Sequence, residues 1–171
     1  MDEKKITQIE NAILVIDRND YKLYLYDDTT LVKEYKAVFG RNPDQKKIAS
    51  DLATPIGTYE ICEIDSTSKY NIFLRINYPN IDDISEGLKL GLLTKKEYED
   101  LRFDYFYGTC INENTRMGGK MGIHGIGDFD LIFRNLPFVF NWTNGSIAVS
   151  NSSIEEIASV IRKGTKVVIK K

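Results

Sequence analysis

NWTNGSIAVSNSSIEEI, running from Asn141 to Ile157, is the stretch on which the reading of this chain turns. Taken alone, Asn144–Gly145 is a hairpin signal between two short strands. The functional alternative uses the same turn to hold the side chain at position 146 outward while successive backbone N–H groups converge on an anion. On that reading Ser146 stands where a reactive cysteine is expected. Beyond it, Ile154, Ile157, Ala158 and Ile161 fall at helical spacing, with Ser152 and Glu155 reading as a capping box. Gly164 closes that helix, and Lys166–Ile169 forms a last strand.

Upstream lies His124, the single histidine of the chain. It ends a short apolar strand, Met121–His124, and precedes Gly125, which permits a close backbone approach. One reading is a satisfied structural histidine. The other is a general base, since an imidazole titrates near neutral pH. Asp128 and Asp130 are available as partners for a Ser–His–Asp arrangement, but spacing fixes neither beside the ring, and no GxSxG elbow is present. Between His124 and Asn141, Leu131–Phe140 is strongly apolar and is broken by Pro137.

The front of the chain is a meander. Ala12–Asp17, Tyr21–Tyr26 and Leu31–Phe39 are short runs rich in aromatic and β-branched residues; in the second, Lys22 and Tyr24 share one face and Leu23 and Leu25 the other. Gly40–Ala53 is polar and irregular and reads as a loop, punctuated by Thr54–Pro55–Ile56–Gly57. Thr58–Ile64 and Tyr70–Ile76 read as two further strands around a turn at Asp65–Lys69. The middle of the chain changes period. Ser85–Leu92 reads as a short helix, and Thr94 with Glu97 forms a capping box ahead of a second, with Tyr98, Leu101 and Tyr105 on one stripe and Gly108 at its end.

Length and composition bound the rest. With 171 residues, one domain with a real core is expected. Residues 1–11 read as a linker-like or disordered N-terminus, and residues 12–171 as a single catalytic domain with a helical insert at 85–107. The 23 basic and 25 acidic residues give a net charge of -2, which supplies no electrostatic reason for a nucleic acid or an anionic membrane as partner. No run is apolar enough to span a membrane, and MDEKKITQIE lacks the apolar core of a signal peptide. Cys62 and Cys110 read as a pair of buried thiols, with a single bridge as the alternative. One histidine and no CxxC pair argue against a structural metal.

Four segments in order then carry a resemblance over roughly Ile13 to Lys170: TPIGTYEIC (Thr54–Cys62), MGIHG (Met121–Gly125), the stretch Asn141–Ile157, and GTKVVI (Gly164–Ile169). Together they resemble the L,D-transpeptidase catalytic domain of the YkuD type. That resemblance implies a mainly β fold, a β-sandwich with marginal helices. It implies acyl transfer on peptidoglycan stem tetrapeptides, in which a cysteine forms a thioester and terminal D-alanine leaves. An amine on a second stem or on an anchored protein resolves the thioester; water in its place makes an L,D-carboxypeptidase. Carried onto this chain, the nucleophile position is Ser146, the base is His124, and the oxyanion hole is the backbone N–H groups of Gly145 and Ser146. A carbonyl near Gly125 orients the imidazole, while Asn144, Trp142 and Thr143 brace the loop. From the residues themselves, Tyr70, Arg75 and Tyr105 are candidates for the border of the cleft, with a solvated strand-face arginine as the alternative for Arg75; the helical insert reads first as packing against the sheet, with a cap over the cleft as the alternative.

Two departures stand out. Many relatives carry Arg two positions after the cysteine, where this chain has Ala148. The larger one is Ser146 itself, because oxygen removes the readily formed thiolate on which such a site depends. It reads as an inactivating Cys-to-Ser substitution. The alternatives are a non-catalytic muropeptide-binding pseudoenzyme and a serine amidase on the same scaffold. No cofactor and no metal are expected. The resemblance places the protein in the periplasm or on the cell-wall side, with an export signal removed; the alternative is the cytoplasm.

Overall fold

The computed structural model describes residues 9–108, 110–129 and 141–171. The apolar segment Leu131–Phe140, Asp130 and most of the linker-like N-terminus therefore lie outside the described residues. Three strands open the fold as a meander: β1 (Ala12–Asp17), β2 (Lys22–Asp27) and β3 (Thr30–Lys36). Their alternation places Leu14, Ile16, Leu23 and Leu25 in the core, fully buried, with Lys22 and Tyr24 on the opposite face as the sequence implies. The third strand ends three residues early. Ala37–Gly40 leaves it because Val38 pairs elsewhere.

The strands that follow are β4 (Gly57–Ser68), β5 (Asn71–Ile76), β6 (Gly122–His124), β7 (Ile147–Ala148) and β8 (Lys166–Lys170). They form one sheet in the order β3-β2-β1-β8-β4-β5-β6-β7. The twelve residues of β4 serve both halves: Gly57–Glu60 pair with β8, and Ile61–Ser68 pair with β5 across two register shifts. The two ends of the strand order then meet. Val38 N–H donates to the Ala148 carbonyl at 3.0 Å and Ala148 N–H returns to the Val38 carbonyl at 2.9 Å, so the sheet curls back on itself. The expected mainly β architecture with marginal helices is the one observed.

Three α-helices decorate the sheet among the described residues: α1 (Ile81–Lys89), α2 (Lys95–Tyr107) and α3 (Asn151–Val160). The Thr94–Glu97 capping box of α2 forms as read, and Leu101 is buried with Tyr98 and Tyr105 packed around it. α1 starts four residues before the expected Ser85. Asn80 caps it, accepting from the Asp82 and Asp83 amides, and Asp83 reaches back to the Asn80 amide. The Ser152–Glu155 box does not form. Ser150 is the cap instead, accepting from Ser153 N–H at 3.2 Å, and Glu155 accepts from Asn71 Nδ2 at 2.7 Å. That helix ends at Val160, and Gly164 lies in the turn before β8.

The insert has its own small core of Ile84, Leu93, Leu101, Ile111 and Met117. Cys62 and Cys110 are joined by a disulfide, which corrects the reading of two buried thiols. The bond ties the chain just past α2 to β4. Among the described residues no helix is long and apolar enough to cross a membrane.

Candidate active site

The parallel pairing of β6 with β7 sets Ile123 opposite Ile147 and His124 opposite Ala148. One step before that ladder begins, the Gly122 N–H has the Ser146 hydroxyl as its acceptor, at 3.3 Å. Strand alternation puts Gly122 and His124 on one face. His124 and Ser146 accordingly line one cleft of about 730 Å³, together with Tyr70, Trp142, Thr143 and Asn144. That volume suits a peptide-sized ligand.

His124 is nearly enclosed, at 4% exposure. Its Nδ1 lies 2.6 Å from the Gly125 carbonyl oxygen, so Nδ1 carries the proton and donates, and Nε2 is left with the lone pair. The carbonyl oxygen beside Nδ1 is that of Gly125 itself. Asn151 holds the turn that presents it: its Oδ1 accepts from the Ile126 and Gly127 amides, each at 2.9 Å, and its Nδ2 donates to the Gly127 carbonyl at 2.8 Å. Tyr70 stacks on the imidazole at 4.6 Å between centroids, Phe73 at 6.0 Å, and Trp142 meets it edge-on at 6.3 Å. Burial pushes the His124 pKa below its ordinary 6.5, against the opposing pull of the Gly125 hydrogen bond.

The loop around position 146 is braced from below. Thr54 Oγ1 donates to the Gly145 carbonyl at 2.7 Å and accepts from Gly40 N–H at 2.9 Å, with Thr54 fully buried. Gly145 has φ of 127°, and a Cβ there would stand 2.7 Å from the Ala53 carbonyl oxygen, so only glycine fits. Thr143 donates to the Ser146 carbonyl at 2.6 Å and accepts from Gly145 N–H at 3.1 Å. The Gly145 amide, one of the two expected oxyanion-hole donors, thus has the Thr143 hydroxyl as its acceptor. The Ser146 amide donates to no acceptor among the described residues.

Two expected cleft residues lie elsewhere. Arg75 donates to the Ile111 carbonyl at 2.8 Å and stands 3.4 Å from Glu113 and 3.7 Å from Glu63, in a neighbouring pocket of about 340 Å³. Phe73, two residues earlier on the same face of β5, borders both cavities, as do Asp65 and Lys120. Tyr105 lines a third pocket, beside the disulfide. The helices of the insert do not line the cleft; the segment after them does, through Gly119, Lys120 and Met121. Sequence reasoning missed Arg41, Lys69 and Lys120 on the cleft wall and Thr54 beneath the loop. Thr54 lay inside TPIG, where it read as turn punctuation.

The family model for the L,D-transpeptidase catalytic domain, YkuD, matches residues 11–169. Among solved structures, the helical cell shape determining protein Pgp2 from Campylobacter jejuni aligns with a TM-score of 0.61 and 23% identity over 99% of this chain and 52% of its own. An L,D-transpeptidase from Xylanimonas cellulosilytica aligns at 0.52 and 13% identity, over 99% of this chain and 65% of its own. One from Mycobacterium smegmatis aligns at 0.54 and 10%, over 94% and 59%. The chain thus spans about half the length of Pgp2, and these likenesses bear on the fold. No curated protein matches the sequence.

Proposed function

Because the chain belongs to the YkuD family of L,D-transpeptidase catalytic domains, we propose that its cleft binds peptidoglycan stem tetrapeptides and that position 146 is the acyl-transfer position, occupied here by a serine that replaces the reactive cysteine. The observation that carries this reading is the His124–Gly125 bond, which leaves an imidazole Nε2 lone pair in the same cleft as the 146 side chain.

With a cysteine at 146, the thiol proton passes to His124 Nε2 and the sulfur attacks the carbonyl of the third stem residue. The oxyanion forms against the backbone N–H of residue 146. Collapse expels D-alanine, whose nitrogen takes the proton back from the imidazolium, leaving a thioester. An amine from a second stem or an anchored protein resolves it, and water in that role gives the carboxypeptidase outcome. A base of lowered pKa suits a thiol, which is acidic near pH 8.5. It suits a hydroxyl poorly, since serine is a far weaker acid. Ser146 is therefore inactivating on this reading, and the chain binds stems without rapid turnover. The usual serine arrangement adds a buried carboxylate at the far side of the imidazole, a place that the Gly125 carbonyl takes here.

The Cys62–Cys110 bond supports a location in the periplasm or on the cell-wall side, where disulfides persist. The test is chromatography of a tetrapeptide stem incubated with S146C: tripeptide and free D-alanine, or a cross-linked dimer when an acceptor stem is present, are expected. H124A in the S146C background removes the products. Equal turnover by the Ser146 chain, lost in S146A, would favour the serine enzyme instead.

A further inference from the structure

We propose that the cleft selects acidic peptides, binding stems whose carboxylates are free in preference to the same stems with those carboxylates converted to carboxamides. This rests on reading the His124–Ser146 cleft as the stem site, and it adds the chemical class of stem accepted.

The chain carries a net charge of -2, yet the wall of this cleft has the opposite sign. Among the described residues its charged lining is Arg41, Lys69 and Lys120 against Asp65 alone. Asp65 is ionised: hydrogen bonds from Thr67 hold its pKa down, helped by the charge of Lys120. It offsets Lys120. Arg41 and Lys69 form no ion pair among the described residues.

Both are positioned rather than loose. Lys69 Nζ stands 4.9 Å from the centre of the Tyr70 ring, and the same ring stacks on His124 at 4.6 Å between centroids. An ammonium is thus held one ring from the base. Arg41 Nε donates to the Trp142 carbonyl at 3.2 Å, beside the loop that carries Ser146. That bond occupies one edge of the guanidinium and leaves other N–H groups for a carboxylate, which accepts two in parallel where a carboxamide offers one oxygen and no charge. A peptide lying across Tyr70 and Trp142 meets the cation held beside each of them.

Calorimetric titration of the Ser146 chain with a synthetic tetrapeptide stem and its carboxamide twin tests this without turnover. The free-carboxylate peptide should bind about fivefold tighter at low salt, with the gap shrinking at high salt because these cations are exposed. Lys69→Glu and Arg41→Glu should each narrow the gap, mainly by weakening the free-carboxylate peptide, with thermal melting unchanged. Equal affinity, preference for the carboxamide, or binding of neither peptide would overturn the proposal. Failure of the acyl-transfer reading shows separately, as S146C giving no product on either peptide while the preference persists.

Discussion

The His124 imidazole and the carbonyl of its chain neighbour Gly125 meet at 2.6 Å, and this contact decides which ring nitrogen can act as a base. With Nδ1 donating, Nε2 is the acceptor. The imidazole is buried, so it should titrate below 6.5, the shift coming first from desolvation. The sign for stability follows. Between the folded pKa and 6.5 the unfolded chain binds the proton and the folded chain does not, so stability rises with pH through that window and is level above it. Imidazole NMR titration against urea midpoints should show stability lost as pH falls below 6.5, and H124Q should remove that part of the dependence. A titration above 6.5 would reverse the sign and contradict the burial argument.

Thr54→Val should destabilise the loop under the site. It strands the Gly145 carbonyl and the Gly40 N–H, which now share one buried hydroxyl. An unpaired buried polar group costs about 1–3 kcal/mol, and the urea midpoint should fall accordingly with an unchanged slope. In the S146C background, turnover should fall further than stability alone requires, because the loop's hold on position 146 is lost.

Reduction of the Cys62–Cys110 bond, or C110A with C62A, should lower the melting temperature markedly. The two residues are 48 apart in sequence, and a loop of that size gives about 4 kcal/mol on the chain-entropy account. For a domain of this length that is about 10 °C, read by calorimetry with and without dithiothreitol. A change near zero would mean the insert docks through its own core alone.

Much of the fold was legible because local signals and burial agree. The alternation of β1 and β2 and the Thr94–Glu97 box are of this kind. α1 starts ahead of the expected Ser85 because Asn80 and Asp83, an N-cap and its reciprocal acid, fix its first turn. Ser150 won over Ser152 because Glu155 is drawn to Asn71 on β5, a partner 84 residues away that no local pattern shows. The cysteine pairing is likewise a matter of tertiary proximity. At the site, His124, Gly125, Ser146, Trp142 and Tyr70 were named from sequence and share one region. Arg75 lines the neighbouring pocket, where the Ile111 carbonyl and two glutamates from outside its strand hold it, partners that no local pattern shows. Arg41, Lys69 and Lys120 come from three separate loops, where spacing carries no information.

The central claim is that position 146 receives the acyl group with His124 as its base. Intact-protein mass spectrometry of S146C after brief mixing with a tetrapeptide stem tests it most directly. The account predicts a covalent increment equal to the stem less its terminal D-alanine, absent from the Ser146 chain and from S146C carrying H124A. No increment on S146C, or the same increment on both S146C and the double variant, would contradict it.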